Sequence, residues 1–176
     1  KVRTGQMSMT EAMAQAGPKA QELLNWISKL AIQSPFTEEG VNLAFQTALA
    51  YGFNVEEAQR LTQAEVDYAA ATGESVDTTN LIALALGQMQ AKGKVSGQEI
   101  IQLTNAGIGV NKILEDMGFT LDDVSNGLVD SDKFINAVIE DMEIFKGAGA
   151  AQAETFSGLI STLSDLKAIG LREFFT

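Results

Sequence analysis

The chain contains neither cysteine nor histidine, and only 2 of its 176 residues are proline. It therefore lacks the usual zinc ligands, a thiol nucleophile, a Ser-His triad and imidazole acid–base catalysis. Aromatic side chains that could stack against sugars are also few, with 1 Trp and 2 Tyr. An enzyme built on this chain would have to use carboxylates, Lys, Tyr or an oxygen-ligated metal.

Positive charge is scarce as well, because 12 Lys and Arg face 23 Asp and Glu, a net charge of -11. Neutralising the phosphates of a nucleic acid needs clustered basic residues, and an anionic membrane surface attracts the same clusters. The longest nearly uncharged stretch, residues 75–92, carries Thr, Asn and Gln and is too polar to span a bilayer. The sequence thus predicts neither nucleic-acid recognition nor a membrane span.

The chain begins at Lys1 without a basic and then apolar leader. We expect it to be a piece of a longer polypeptide. Residues 1–18 are predicted to be the start of this piece, in a helix that continues upstream. Residues 19–168 are predicted to form one helical domain, and residues 169–176 to lead into a region that follows.

Apolar residues recur at three- and four-residue spacing along most of the chain, as in Leu23, Ile27 and Leu30. No segment shows the alternation of a strand. Residues 81–86 are apolar nearly all round, which predicts the central buried helix. We therefore expect an all-α bundle of about eight short-to-medium helices joined by glycine turns, with longer helices carrying a small lobe over residues 93–146.

Residues that start and end helices support this prediction. Ser34-Pro35 can place proline in a first helical turn, and Ser96 with Glu99 has the pattern of a capping box. Two further pairs have N-cap spacing, namely Asn54 with Glu57 and Thr120 with Asp123. The glycines predicted to end helices are Gly17, Gly52, Gly73, Gly93, Gly107, Gly118 and Gly127.

Three chemical functions can be compared with simpler structural roles. The short helices suggest a helix-turn-helix, but residues 115–143 carry nine acidic residues and one Lys, which would repel phosphate. Asp130 and Asp132 resemble a calcium loop, but the remaining ligands are missing and helix N-caps explain both residues better. Paired carboxylates such as Glu140 and Asp141 are expected on solvated faces. We expect no catalytic residue, no cofactor and no metal site.

One stretch, residues 81–108, resembles the tail tape measure proteins of long-tailed bacteriophages and prophages. Its most specific part is Gln-x-x-Ala-Lys-Gly-Lys-Val-Ser-Gly, residues 88–97. Shorter matches follow in order, so that the resemblance runs from about Leu23 to Leu166. The residues that carry it, with an expected structural role, are Ser34, Pro35, Phe36, Gly87, Gln88, Lys92, Gly93, Ser96, Gly97, Gln102, Leu103, Gly107, Gly118, Phe156 and Gly158.

The resemblance implies a structural role in a phage tail. Tape measure proteins are made in the host cytoplasm and lie in the lumen of the tail. There they template polymerisation of the tail-tube protein and set tail length. The implied partners are the tail-tube protein, tail assembly chaperones, tail-tip proteins and other copies of the chain. A role in DNA ejection is implied as well.

The glycine turns argue that this segment is a folded domain and not the measuring rod, since a rod would be a long unbroken helix. We expect it to be an end or anchoring domain that binds partners through an acidic surface containing Asp122, Asp123, Asp130 and Asp132. The alternative hypothesis is an acidic all-helical adaptor domain of a bacterial cytoplasmic protein.

Overall fold

A computed structural model describes the backbone of residues 9–34 and 36–155, and the side chains of residues 17–34, 36–75 and 78–155. This part of the chain holds eight α-helices and no strand, so the predicted all-α fold is confirmed. The helices are α1 (Met9–Ile32), α2 (Glu38–Ala50), α3 (Val55–Thr72), α4 (Val76–Lys92), α5 (Gly97–Asn105), α6 (Val110–Asp116), α7 (Leu121–Ser125) and α8 (Ser131–Glu143). Residues 148–155 are also helical, up to the last described residue. Within the described residues, no helix has the length and apolar content needed to cross a membrane.

Three helices, α2, α3 and α4, pack against one another and form the centre of the fold. Helix α1 packs on α2, α5 packs on α4, and α8 packs on both α3 and α4. The short helices α6 and α7 contact α5, and α6 also contacts α8. One continuous apolar cluster, from Ile27 to Met142, runs through all of these helices. The predicted lobe over residues 93–146 therefore shares its core with the longer helices.

Helix α4 is the predicted central helix, and five of its side chains are fully buried. Burial of one large aliphatic side chain stabilises the fold by about 1.5–3 kcal/mol. Two residues within 81–86 are exceptions: the Leu81 side chain is 40% exposed, and Leu84 is partly buried. The five fully buried residues are Ile82, Ala83, Ala85, Leu86 and Met89.

Six of the seven glycines predicted to end helices do so, with φ between 64° and 97°. The exception is Gly17, which lies inside α1 together with Pro18. The predicted helix end at Gly17 is wrong. The helix runs on through Gly17 and Pro18, and both residues are exposed to solvent. Water can solvate the carbonyl group that proline leaves without a donor, and the helix continues. Helix α1 therefore crosses the predicted boundary between residues 18 and 19.

Two predicted helix starts also need correction. Helix α2 begins at Glu38 with Thr37 as its N-cap, because the Thr37 hydroxyl accepts a hydrogen bond from the Gly40 N–H. Proline therefore does not open this helix, and Pro35 itself lies outside the described residues. Ser96 is the N-cap of α5, but its side chain does not cap the backbone. Its hydroxyl donates to the Glu99 carboxylate instead.

Gly87 allows the end of α2 to lie against α4. A Cβ atom at this position would lie 2.4 Å from Cγ and 2.6 Å from Cβ of Tyr51. These atoms are close to the Tyr51 backbone, so the ring cannot turn away without shifting the end of α2. Gly87 is one of the residues that carry the family resemblance, and the close approach explains why it is glycine.

We expect Gly87→Ala to lower the free energy of unfolding by about 1–3 kcal/mol, because it overpacks this contact. Gly97→Ala is the matched control, since Gly97 opens α5 and a Cβ atom there would have no neighbouring atom within 4 Å. The control should be neutral or slightly stabilising, as alanine favours a helix. Urea unfolding of the three proteins measures the difference, and equal stabilities for the two variants would contradict the packing argument.

Candidate functional site

The turn between α4 and α5 contains the most specific part of the family resemblance. Gly93 ends α4 in the left-handed conformation, with φ 64°, and its N–H donates to the Met89 carbonyl oxygen. The chain then reverses, so that Lys92 and Ser96 both reach the carboxylate of Glu99. The Lys92 ammonium group donates to Glu99 Oε1 and the Ser96 hydroxyl to Glu99 Oε2. We call these three side chains the turn cluster.

The turn cluster compensates a charge in the protein interior. The Glu99 side chain is 0% exposed, whereas that of Lys92 is 41% exposed. Burial alone would raise the pKa of Glu99, but the hydrogen bonds from Lys92 and Ser96 outweigh it and lower that pKa below its ordinary value. Glu99 is therefore ionised at neutral pH, and its role is to fix the turn.

The other residues that carry the resemblance are placed in the core or in turns. Leu103 is fully buried, and Phe36 packs against the core. Ser34 shapes the turn after α1, because its hydroxyl accepts from the Phe36 N–H. The buried side-chain oxygens of Gln88 and Gln102 accept no hydrogen bond from any residue that the structure describes. Phe156 and Gly158 lie outside the described residues. The structural role of these residues stays a prediction.

Gly107 and Gly118 follow the last residues of α5 and α6, with φ of 81° and 80°. Gly107 also allows a close contact, because a Cβ atom there would lie 2.7 Å from the Tyr68 hydroxyl oxygen. That hydroxyl donates to the Ala106 carbonyl oxygen at 3.1 Å. Helix α3 is thereby joined to the turn that follows α5.

The four predicted partner-binding acids fall into two pairs with different surroundings. Asp123 belongs to the capping box of α7, where its carboxylate accepts from the Thr120 N–H at 2.8 Å and the Thr120 hydroxyl at 2.7 Å. These hydrogen bonds lower the pKa of Asp123. Asp130 caps α8 and accepts from the Lys133 N–H at 2.9 Å. Both residues therefore stabilise helix starts.

Asp122 and Asp132 lie in the first turns of α7 and α8 and are exposed. Neither carboxylate has a hydrogen-bond or ion-pair partner among the described residues. We call Asp122, Asp123, Asp130 and Asp132 the acidic surface. Its charge is available for binding mainly at Asp122 and Asp132, because the other two carboxylates are engaged by the backbone.

An ion-pair cluster between α3 and α8 was not predicted from the sequence. Arg60 donates from Nε to Glu143 Oε1 at 2.8 Å and from Nη2 to Glu143 Oε2 at 2.7 Å. Its Nη1 donates to Asn136 Oδ1 at 3.0 Å, and Glu140 Oε1 lies 4.0 Å from Nη2. The hydrogen bond from Arg60 is the main cause of a lowered pKa of Glu143. Since 83 residues separate Arg60 from Glu143, no local pattern indicates this pair.

Two buried acids in α3 were also missed. Asp67 accepts a buried hydrogen bond from the Gly149 N–H at 3.0 Å, which holds the start of the 148–155 helical segment on α3. Gly149 also packs closely against α3 and the turn after α1. A Cβ atom there would lie 3.2 Å from both Asp67 Oδ1 and the Gln33 carbonyl oxygen.

Glu65 is 0% exposed, and neither of its carboxyl oxygens has a hydrogen-bond partner in the described part of the chain. Burial raises the pKa of Glu65 well above its ordinary value, so folding favours the protonated, neutral form of this side chain. Its burial could have been inferred from the sequence, since Glu65 lies at helical spacing from Ala58 and Leu61, which are both buried. Solvent does not reach this carboxyl group, which argues against a catalytic role. Among the described residues, no group of three or more acidic side chains is arranged to hold a metal ion.

The fold and these sites define an all-helical domain with exposed acidic residues in the first turns of α7 and α8. A family model described as "Tape measure protein" matches residues 5–174, nearly the whole chain. The chain therefore belongs to the tape measure protein family, whose members are structural components of phage tails. Searches of curated proteins and of solved structures found no match. The resemblance inferred from residues 23–166 is confirmed, and the match favours a phage-tail protein over the bacterial adaptor.

We expect Lys92→Met to lower the free energy of unfolding at neutral pH by about 1–3 kcal/mol, because it leaves the buried Glu99 carboxylate without its cation. The pKa of Glu99 is lowered in the folded state, so this stabilisation is present above the ordinary Glu pKa. It is lost as the pH falls through the folded-state pKa. The difference between the variant and the parent should therefore shrink in acid.

Lys94→Met is the matched control for this change, since Lys94 is exposed and makes no ion pair among the described residues. Its effect should stay within about 0.5 kcal/mol. Urea unfolding across a pH series measures both variants. Equal losses of stability for the two lysines would show that the turn cluster does not stabilise the fold.

Glu65 should make the protein less stable as the pH rises. Its pKa is raised in the folded state, so above the ordinary Glu pKa only the unfolded chain loses the proton. The free energy of unfolding then falls by about 1.4 kcal/mol per pH unit until the folded-state pKa is reached. Glu65→Gln removes this loss and should exceed the parent in stability by more at about pH 7 than at about pH 4.

Glu56→Gln is the control for a carboxyl group on the same helix, because Glu56 is exposed in the first turn of α3. Its unfolding free energy should stay within about 0.5 kcal/mol of that of the parent, as expected for an exposed surface residue. A Glu65→Gln profile that also runs parallel to the parent would mean that Glu65 is ionised in the folded protein.

Proposed function

We propose that this chain contributes a folded anchoring domain to a tape measure protein, with the measuring rod elsewhere in the polypeptide. A rod that measures length needs a long continuous helix, which rises about 1.5 Å per residue. Here the helices have between 5 and 24 residues and are separated by turns. The predicted extent of this domain, residues 19–168, is part of the proposal.

Family membership supports the wider role that we propose for the parent protein. It is made in the host cytoplasm and lies in the tail lumen, where it templates polymerisation of the tail-tube protein and sets tail length. It also assists DNA ejection. Tail assembly chaperones, tail-tip proteins and other copies of the chain are further proposed partners. The observation that carries this proposal is the match of the family model to residues 5–174.

The acidic surface is the part of the domain that we propose to bind those partners. Residues 115–143 carry nine acidic residues and one Lys, so the field around α7 and α8 is strongly negative. Asp122 and Asp132 project from this region without partners of their own, while Asp123 and Asp130 cap helices. A basic partner surface would be attracted by the unpartnered carboxylates without unfolding either helix.

We expect the double variant Asp122→Lys with Asp132→Lys to form fewer tails and to bind tail proteins less well. Reversal of two charges replaces attraction of a basic partner by repulsion. The tails that do form should keep their length, because the rod lies outside this domain. Electron microscopy of phage carrying the variant gives tail number and tail length, and co-purification gives partner binding.

The matched control is Glu39→Lys with Glu56→Lys. These residues are exposed first-turn acids of α2 and α3, so the net charge and the interaction with the helix dipole change equally. The control should assemble tails normally. Normal tail formation and partner binding by the Asp122 and Asp132 variant would contradict the docking role of the acidic surface.

A further inference from the structure

A cleft between α3 and α8 combines an apolar floor with a negative rim. Its floor contains the buried side chains of Phe53, Ile135 and Ile139, and its rim contains the exposed carboxylates of Glu57 and Asp132. The cleft encloses about 220 Å³. Small-molecule sites usually have about 300–1,000 Å³, so this volume suits one side chain better than a cofactor.

The charge of the cleft is negative even though Arg60 lines one end of it. The guanidinium group of Arg60 is held by both oxygens of Glu143 and by Asn136 Oδ1. Its positive charge is therefore already neutralised by an acid outside the cleft. Nothing comparable neutralises Asp132, which has no partner among the described residues.

Glu57 also keeps a carboxylate oxygen for a ligand. Its Oε2 accepts from the Asn54 N–H at 2.9 Å as part of the capping box of α3. Its Oε1 accepts no hydrogen bond among the described residues. The capping box holds this carboxylate in place at the rim, so a ligand does not have to order it.

We propose that this cleft binds a lysine or arginine side chain of a partner protein. Such a side chain has an aliphatic stem, which buries well against apolar residues, and a cationic end that stays near the surface. The stem would lie over Phe53 and Ile135, and the cation between Glu57 and Asp132. A neutral aliphatic side chain would leave both carboxylates unpaired, and an anionic one would be repelled.

This inference rests on the proposed docking role, because Asp132 belongs to the acidic surface. The cleft would be the place where that surface binds a basic partner. The probes that test it are N-acetylarginine methylamide and N-acetyllysine methylamide, titrated into the whole chain at low ionic strength. N-acetylnorleucine methylamide is the uncharged control ligand. Methyl NMR signals of Ile135 and Ile139 report on the cleft.

Both cationic probes should shift these methyl signals in a saturable manner, and the norleucine compound should not. Glu57→Gln and Asp132→Asn should each weaken binding by about two- to fivefold, as expected for an exposed ion pair. Glu57→Gln retains an acceptor for the capping box, so the start of α3 stays intact. Asp122→Asn removes an acidic charge outside the cleft and should leave binding unchanged.

Two results would overturn the inference. One is the absence of saturable shifts at Ile135 and Ile139 with either cationic probe. The other is that Asp122→Asn and Asp132→Asn weaken probe binding equally. The cationic probes would then be attracted to the acidic surface as a whole and not to the cleft, and the docking role would still hold. If the cleft binds the probes but charge reversal in the phage has no effect, the cleft binds cationic side chains, but the docking role fails, and with it the assignment of that side chain to a tail partner.

Discussion

The burial of α3 on nearly all of its faces is the constraint on which the rest of the structure depends. Every residue from Leu61 to Ala70 except Gln63 is buried, so α2, α4 and α8 must all pack around this one helix. Its polar side chains then hold later parts of the chain. Tyr68 binds the turn after α5, Arg60 binds α8, and Asp67 binds the start of the 148–155 segment. Helix α3 thus determines where the acidic surface and the cleft lie relative to the core.

Acidic residues have two different roles in this domain. Asp123 and Asp130 satisfy backbone N–H groups at helix starts, where the helix dipole favours negative charge. Asp122 and Asp132 occupy the same first turns but face solvent without a partner among the described residues. Short helices therefore accommodate many acids in this region, because each new helix start favours negative charge in its first turn. The short helices also distinguish this domain from a measuring rod, which would be one long helix.

Local features of the sequence were sufficient to predict most of the fold. Apolar spacing predicted the helices. The pairs Asn54 with Glu57 and Thr120 with Asp123, predicted from their N-cap spacing, form capping boxes at the starts of α3 and α7. The capping box predicted for Ser96 and Glu99 does not form. The Glu99 carboxylate is buried and accepts hydrogen bonds from Lys92 and from the Ser96 hydroxyl instead. The cleft and the buried contacts of α3 could not be predicted, since their residues are far apart in sequence. Asp67 and Gly149, for example, are 82 residues apart, and neither lies in a pattern that indicates the other.

We propose that this part of a tape measure protein remains a folded domain in the assembled tail. Spin labels on cysteines introduced at Gln59 and Glu140 test it, because the 176 residues contain no natural cysteine and the labels flank the Arg60–Glu143 ion pair. Pulsed electron paramagnetic resonance of assembled tails should give one short distance, equal to that in the free chain. An extended helix would separate the two labels by about 120 Å. Loss of the short distance on assembly would contradict the account.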